Sequence, residues 1–336
     1  MSRARIAAAV TVLVVTLAPF GARATDAVVT DEVTFKVINQ MDGNAQYNVH
    51  GVMYRPSRAQ GCASSVLVLV HGLSYGIYAW DFPLEPETYS VARALAARGY
   101  PTVAIDLPGY GNRSTRPPTG YHVTVDIYAR MVASVVATLR AGAYTATAPQ
   151  AFGKVGLVGH SAGTEIAELA SSLYTPIDAL VATGYTHFPS QRIAQDFFTG
   201  DYPRALQSDY EYFGGTPEGR WEYMYADPAD RAIMEKDNEL ARLTPSGQVF
   251  SIGAQPSGKV MAKITAPVLL LLAEKDLLFP VEFGDQELAL FASAEDKTKM
   301  VAPGAGHSFM LHPNAPDTNA QIADWLGARK TAIPAC

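Results

Sequence analysis

Short apolar runs and amphipathic stretches alternate along most of this chain. Residues 32–38 and 47–55 read as two opening strands joined by a turn at Asp42-Gly43-Asn44. Six further runs of strand length are largely apolar: 65–71 (SVLVLVH), 101–106 (PTVAID), 154–159 (KVGLVG), 177–184 (IDALVATG), 268–273 (VLLLLA) and 299–302 (KMVA). Runs that are apolar on both faces belong in the middle of a parallel sheet covered by helices. Helical patterns lie between them: an alanine-rich stretch at 89–98, a one-face pattern through Tyr128, Met131, Val132, Val135 and Leu139, and stretches at 162–173, 287–292 and 319–325. This alternation predicts an α/β fold with a mostly parallel sheet and right-handed crossovers.

One interval breaks the rhythm. Residues 188–262 hold no central strand pattern but many aromatics, including Phe197, Phe198, Tyr210, Phe213, Trp221 and Phe250. The expectation is a mainly helical cap at 188–262, inserted into a core formed by 25–187 and 263–336.

The beginning of the chain reads differently. Arg3 and Arg5 precede an apolar run from Ile6 to Leu17, and Ala22-Arg23-Ala24 offers the small-x-small pattern of a cleavage site. A run this short falls below the ~20 residues needed to span a bilayer, so residues 1–24 are expected to be an export signal cleaved near Ala24, leaving a secreted or periplasmic protein. Removal of Arg3, Arg5 and Arg23, and of no acid, takes the net charge from −6 to −9. An acidic surface argues against nucleic acid and against anionic membranes. The only cysteines are Cys62 and Cys336. In an oxidising compartment they are expected to pair, anchoring the C-terminal tail near the start of a strand.

The candidate chemistry centres on Gly159-His160-Ser161-Ala162-Gly163, which fits G-x-S-x-G, with a β run before it and a helix-forming run after it. A serine nucleophile there needs a base, and the base an orienting carboxylate. Downstream, the run 268–273 ends in Glu274-Lys275-Asp276, and the next strand leads into Pro303-Gly304-Ala305-Gly306-His307. Asp276 is the expected acid, with Glu274 as its rival, and His307 the expected base. His312 lies outside that glycine-bearing loop; His71 and His160 are expected to be structural. The loop His71-Gly72-Leu73-Ser74-Tyr75-Gly76 follows the first central strand and offers the Leu73 N–H as an oxyanion donor beside that of Ala162. Asp106, in the turn Asp106-Leu107-Pro108-Gly109-Tyr110-Gly111, is expected to cap backbone groups. No CxxC or HExxH is present and the seven histidines are scattered, so neither a metal nor a cofactor is expected.

The HG pair at 71–72, the D-x-P-G-x-G turn at 106–111, GHSAG at 159–163 and the Asp276/His307 pair together resemble the α/β-hydrolase superfamily, in its branch of capped esterases, lipases and haloperoxidase-like hydrolases. The resemblance covers about residues 30–186 and 263–328. It implies the α/β-hydrolase fold, Ser161, Asp276 and His307 as a catalytic triad, and Leu73 and Ala162 as oxyanion donors. The implied activity is hydrolysis of a small-molecule carboxylic ester, with Tyr75, Tyr78, Trp80 and Phe309 expected around a fairly apolar pocket. The same triad would equally serve an acyltransferase, a lactone-forming or lactone-opening enzyme, or an exported peptidase. A non-catalytic binding protein on the same scaffold is a further alternative.

Overall fold

The computed structural model describes residues 27–59, 64–254 and 257–336. The export signal expected at 1–24 and Cys62 lie outside them. The strands are β1 (Val28–Asn39), β2 (Ala45–Pro56), β3 (Ser65–Val70), β4 (Thr102–Asp106), β5 (Lys154–His160), β6 (Ala179–Thr183), β7 (Tyr210–Glu211), β8 (Thr244–Pro245), β9 (Val268–Ala273) and β10 (Lys297–Ala302). Eight of them form one sheet in the order β1-β2-β4-β3-β5-β6-β9-β10. β1 pairs antiparallel with β2 and β2 antiparallel with β4, whereas every other pairing in this sheet is parallel. The turn between β1 and β2 falls where the sequence places it, with Gly43 and Asn44 both near φ +60°.

Period-two alternation assigns the two faces. Val66, Val68 and Val70 of β3 join one buried cluster with the helix Val125–Ala141, while Leu67 and Leu69 join another with the helices Val91–Ala96 and Ala315–Gly327. β9 divides in the same way: Val268, Leu270 and Leu272 face the first layer, Leu269, Leu271 and Ala273 the second. A strand covered on both faces has no polar position to offer, which is why these runs read as continuous in the sequence.

The strand order changes direction at β3, with β4 on one side of it and β5 on the other. The loops leaving β3 and β5 therefore diverge at the carboxyl edge of the sheet and open a crevice there. Residues 188–254 cross this edge as short helices and the small β7–β8 ribbon. They are bonded to it at several points: Arg242 N–H donates to the Ser74 carbonyl (2.8 Å), Ser308 N–H to the Met224 carbonyl (2.9 Å), and Tyr110 Oη to Gln248 Oε1 (2.6 Å). Val260 and Met261, at the end of the expected cap, instead join the core cluster beneath the sheet. The C-terminal tail lies along the opposite layer, with Cys336 N–H on the Gly99 carbonyl (2.6 Å) and Ser65 Oγ on the Pro334 carbonyl (2.5 Å). Among the described residues no helix is long and apolar enough to cross a membrane.

Candidate active site

Ser161 sits at the sharp turn between β5 and the helix Ala162–Leu169, with φ 54° and ψ −129°. A non-glycine residue at positive φ is strained and persists only where its surroundings hold it. Here Ser161 N–H donates to the Thr183 carbonyl (2.9 Å), and its own carbonyl accepts from Thr164 N–H (2.8 Å). The turn also needs a bare backbone nearby: a Cβ on Gly163 would stand 2.1 Å from the Val70 carbonyl oxygen. The glycines of the sequence motif are thus steric requirements of the turn.

Asp276 follows β9 and His307 follows β10, and the two meet. His307 Nδ1 lies 2.8 Å from Asp276 Oδ2, with both side chains closed to solvent. The other carboxylate oxygen of Asp276 accepts from Leu278 N–H (2.8 Å) and Phe279 N–H (3.2 Å), which fixes the plane of the group. Glu274 turns elsewhere and accepts the Gly304 N–H (2.6 Å). The His307 ring lies 4.8 Å from that of His160, the residue before Ser161. His307 Nε2 is buried and makes no hydrogen bond, to Ser161 Oγ or to any other described residue. Hydrogen bonds of this kind are commonly loose in a ligand-free site.

Two of the histidines have other duties. His71 Nδ1 faces the Gly72 carbonyl (2.8 Å) and its Nε2 accepts from Leu107 N–H (3.2 Å), tying the loop after β3 to the loop after β4. Burial pushes its pKa down. His160 contacts Thr183 Oγ1 at 3.2 Å, and burial, then the neighbouring His307, holds it well below the usual histidine range. Asp106 accepts the Ile77 N–H (2.8 Å), the capping duty expected of it.

The loop after β3 passes directly beside the serine: a Cβ on Gly72 would lie 2.8 Å from Ser161 Cβ. Leu73, the next residue, lines the same cavity as Ser161. The Ala162 N–H opens a helix, where backbone donors lack intrahelical partners. Tyr75, further along the loop, is locked by a hydrogen bond to Ser308 and by the Arg220 guanidinium, 4.8 Å from its ring centroid. Arg220 is itself fully buried and paired with Asp237.

Ser161 opens onto a cavity of about 320 Å³. Leu73 and Tyr75 line it from the loop after β3, Leu278 and Phe279 from the loop of Asp276, and Ile193, Phe197, Phe198, Phe213 and Met224 from the segment above. Tyr185, Thr186 and His187, which leave β6, form another wall.

A sequence model of the alpha/beta hydrolase family matches residues 67–316. The chain belongs to that family. No curated protein matches it in sequence. Among solved structures it is similar to an esterase of Thermogutta terrifontis, with a TM-score of 0.66 at 17% identity, over 88% of this chain and 98% of that one. It is also similar to an esterase of Exiguobacterium antarcticum (TM-score 0.62, 18% identity, 87% and 98% covered) and a monoacylglycerol lipase of Paleococcus ferrophilus (0.57, 21%, 79% and 94%). At such identities the likeness speaks to the fold.

Of the expected pocket residues of this alpha/beta hydrolase, Tyr75 lines the cavity and three do not. After Gly76 the chain winds through Ile77–Ala79 and turns down, so Trp80 is buried and its carbonyl accepts the Ala92 N–H (2.9 Å). Tyr78 returns its hydroxyl to the Ser74 carbonyl (3.0 Å). Phe309 stands edge-on to His160, 5.7 Å between centroids, behind the loop of His307. Leu278, Phe279 and the residues leaving β6 were not among the sequence candidates. Their position just past strand ends was the available signal.

His312 was also passed over. Its Nε2 accepts from Gly306 N–H (3.0 Å) and from Ala226 N–H (3.2 Å), and its Nδ1 faces the Ser308 carbonyl (3.0 Å). One imidazole thereby fixes both flanks of His307 and ties them to the segment above the sheet.

Proposed function

We propose that this alpha/beta hydrolase is an exported serine esterase that cleaves a fairly apolar, small to medium acyl ester. The observation that carries the reading is the Asp276–His307 hydrogen bond placed beside a strained serine at the wall of an apolar cavity.

In this mechanism Asp276 holds His307 with its proton on Nδ1 and leaves Nε2 as the base. Nε2 takes the proton of Ser161 as Oγ attacks the acyl carbonyl. The N–H groups of Leu73 and Ala162 hold the oxyanion; losing one such donor costs about 3 kcal/mol of barrier in comparable sites. His307 then protonates the departing alkoxide, water attacks the acyl-enzyme, and the acid leaves. These steps need no cofactor. Export is supported by the charged start, apolar run and small-x-small site in residues 1–24. A Cys62–Cys336 disulfide completes the reading; it is supported by the hydrogen bond between Ser65 and the Pro334 carbonyl, since Ser65 is three positions after Cys62 and Pro334 two before Cys336.

The test is labelling of the purified mature protein with a fluorophosphonate, read by peptide mass, together with hydrolysis of p-nitrophenyl esters of graded chain length. One adduct on Ser161 with ester turnover is expected. A folded protein that neither labels nor hydrolyses any of the esters would refute the proposal.

A further inference from the structure

Beneath the wall that leaves β6, three elements bury charge against one another. Glu168 comes from the helix that follows Ser161, His187 from the segment after β6, and Glu287 from the helix Gly284–Leu290 that follows the loop of Asp276. Glu168 and Glu287 are fully buried, and the His187 side chain is 6% exposed. One ligand atom from each, two carboxylate oxygens and a ring nitrogen, lie within 4.8 Å of one another.

The hydrogen bonding of this cluster is one-sided. Glu287 is well supplied, with one oxygen on His187 N–H (2.8 Å) and the other 2.9 Å from His187 Nδ1. Glu168 has nothing: both its oxygens are buried and without a partner, and so is His187 Nε2. Among the described residues no lysine or arginine pairs with Glu168 or Glu287. A buried carboxylate without a counter-charge is among the costliest groups a protein can hold. A divalent cation offsets the two carboxylates that face it; Glu165, buried on the same helix as Glu168, has its own partner in the Gly253 N–H.

We propose that Glu168, His187 and Glu287 bind a divalent transition-metal ion, of the Zn²⁺ or Mn²⁺ type. The donor set of one nitrogen and two oxygens suits those ions better than Ca²⁺ or Mg²⁺, which favour oxygen alone. Ligands ~2.1 Å from such an ion stand roughly 3.4 Å apart in a tetrahedral shell, so small side-chain adjustments bring the three atoms on to it. Because His187 also lines the cavity, the ion would tie the helix of the nucleophile and the helix beyond the acid loop to the pocket wall. That role is structural and lies outside the hydrolytic steps.

The experiment uses the untagged mature protein, stripped with chelator and incubated with Zn²⁺ or with Mn²⁺ alone. After gel filtration, elemental analysis gives the metal retained and thermal unfolding the shift. About one equivalent of one of these ions per chain is expected, with a midpoint raised by ~5 °C. In Glu168→Gln and His187→Gln, each shown folded by circular dichroism, retention is expected to fall at least ~tenfold. Less than about a tenth of an equivalent of either ion on the native protein would overturn the proposal. Undiminished retention in both variants would overturn it as well, by placing the ion elsewhere.

Discussion

His307 Nδ1 stands 2.8 Å from Asp276 Oδ2, while Asp276 Oδ1 is held by two backbone N–H groups. An asparagine at 276 would keep its oxygen on those backbone donors and turn its NH₂ toward His307. That forces the imidazole proton on to Nε2, where the base is needed. Asp276→Asn is therefore expected to lower kcat by roughly 10⁴-fold with a nearly unchanged thermal midpoint. Glu274→Gln, remote from His307, is expected to leave kcat within about twofold. Steady-state kinetics on a p-nitrophenyl ester decides between them, and the reverse pattern would make Glu274 the acid.

The loop carrying His307 depends on His312. Replacing it by alanine strands the Gly306 and Ala226 N–H groups, at a cost of about 1–3 kcal/mol. His312→Ala is expected to lower kcat more than it raises KM, because the base loses its fixed position while the cavity walls remain. His312→Gln, whose amide oxygen can accept one of those bonds, is expected to recover part of kcat. A purely structural role would show equal activity per folded molecule in all three proteins.

The cavity's far walls come from the segment above the sheet, and Ile193 is on its first helix, Gln191–Asp196. Ile193→Trp is expected to shorten the pocket. Activity toward long acyl esters should then fall by at least ~tenfold in kcat/KM, with acetyl and butyryl esters within about threefold. A uniform loss across chain lengths would show that acyl groups do not reach Ile193.

Asp201 lies in the same segment, beside Arg204 and the Gly214 N–H. Burial outweighs the Arg204 charge and pushes its carboxyl from 3.8 up to about 6. With the folded value above the unfolded one, the folded state holds the extra proton. The stability this lends is present below pH ~4 and is lost as pH rises through about 6. Asp201→Asn, neutral throughout, is expected to gain thermal stability relative to the native protein between pH 4 and 7. A difference that is flat with pH would contradict this.

The proposed Cys62–Cys336 bond closes most of the chain into a loop. Reduction, or Cys336→Ser, is expected to destabilise the protein by about 2–4 kcal/mol without altering ester turnover at 25 °C. Thermal unfolding with and without dithiothreitol, and thiol counting by mass, give the answer.

The sequence alone determined the sheet, because doubly covered strands must be continuously apolar and few other structures tolerate such runs. It also determined the serine turn, whose glycines answer local clashes, and the order in which Asp276 and His307 follow it. It favoured Asp276 but kept Glu274 as a rival, since both follow the same strand, and only the folded loop shows which carboxylate faces His307. Tyr78, Trp80 and Phe309 are aromatics close in sequence to the site, but the turn at Ile77–Ala79 and the loop after His307 carry them behind it. The cavity walls, the double duty of His312 and the meeting of Glu168, His187 and Glu287 were decided by tertiary structure. Those groups come from elements far apart along the chain, His187 and Glu287 being 100 positions apart. No local pattern marks residues that become neighbours only when the sheet closes and its helices pack.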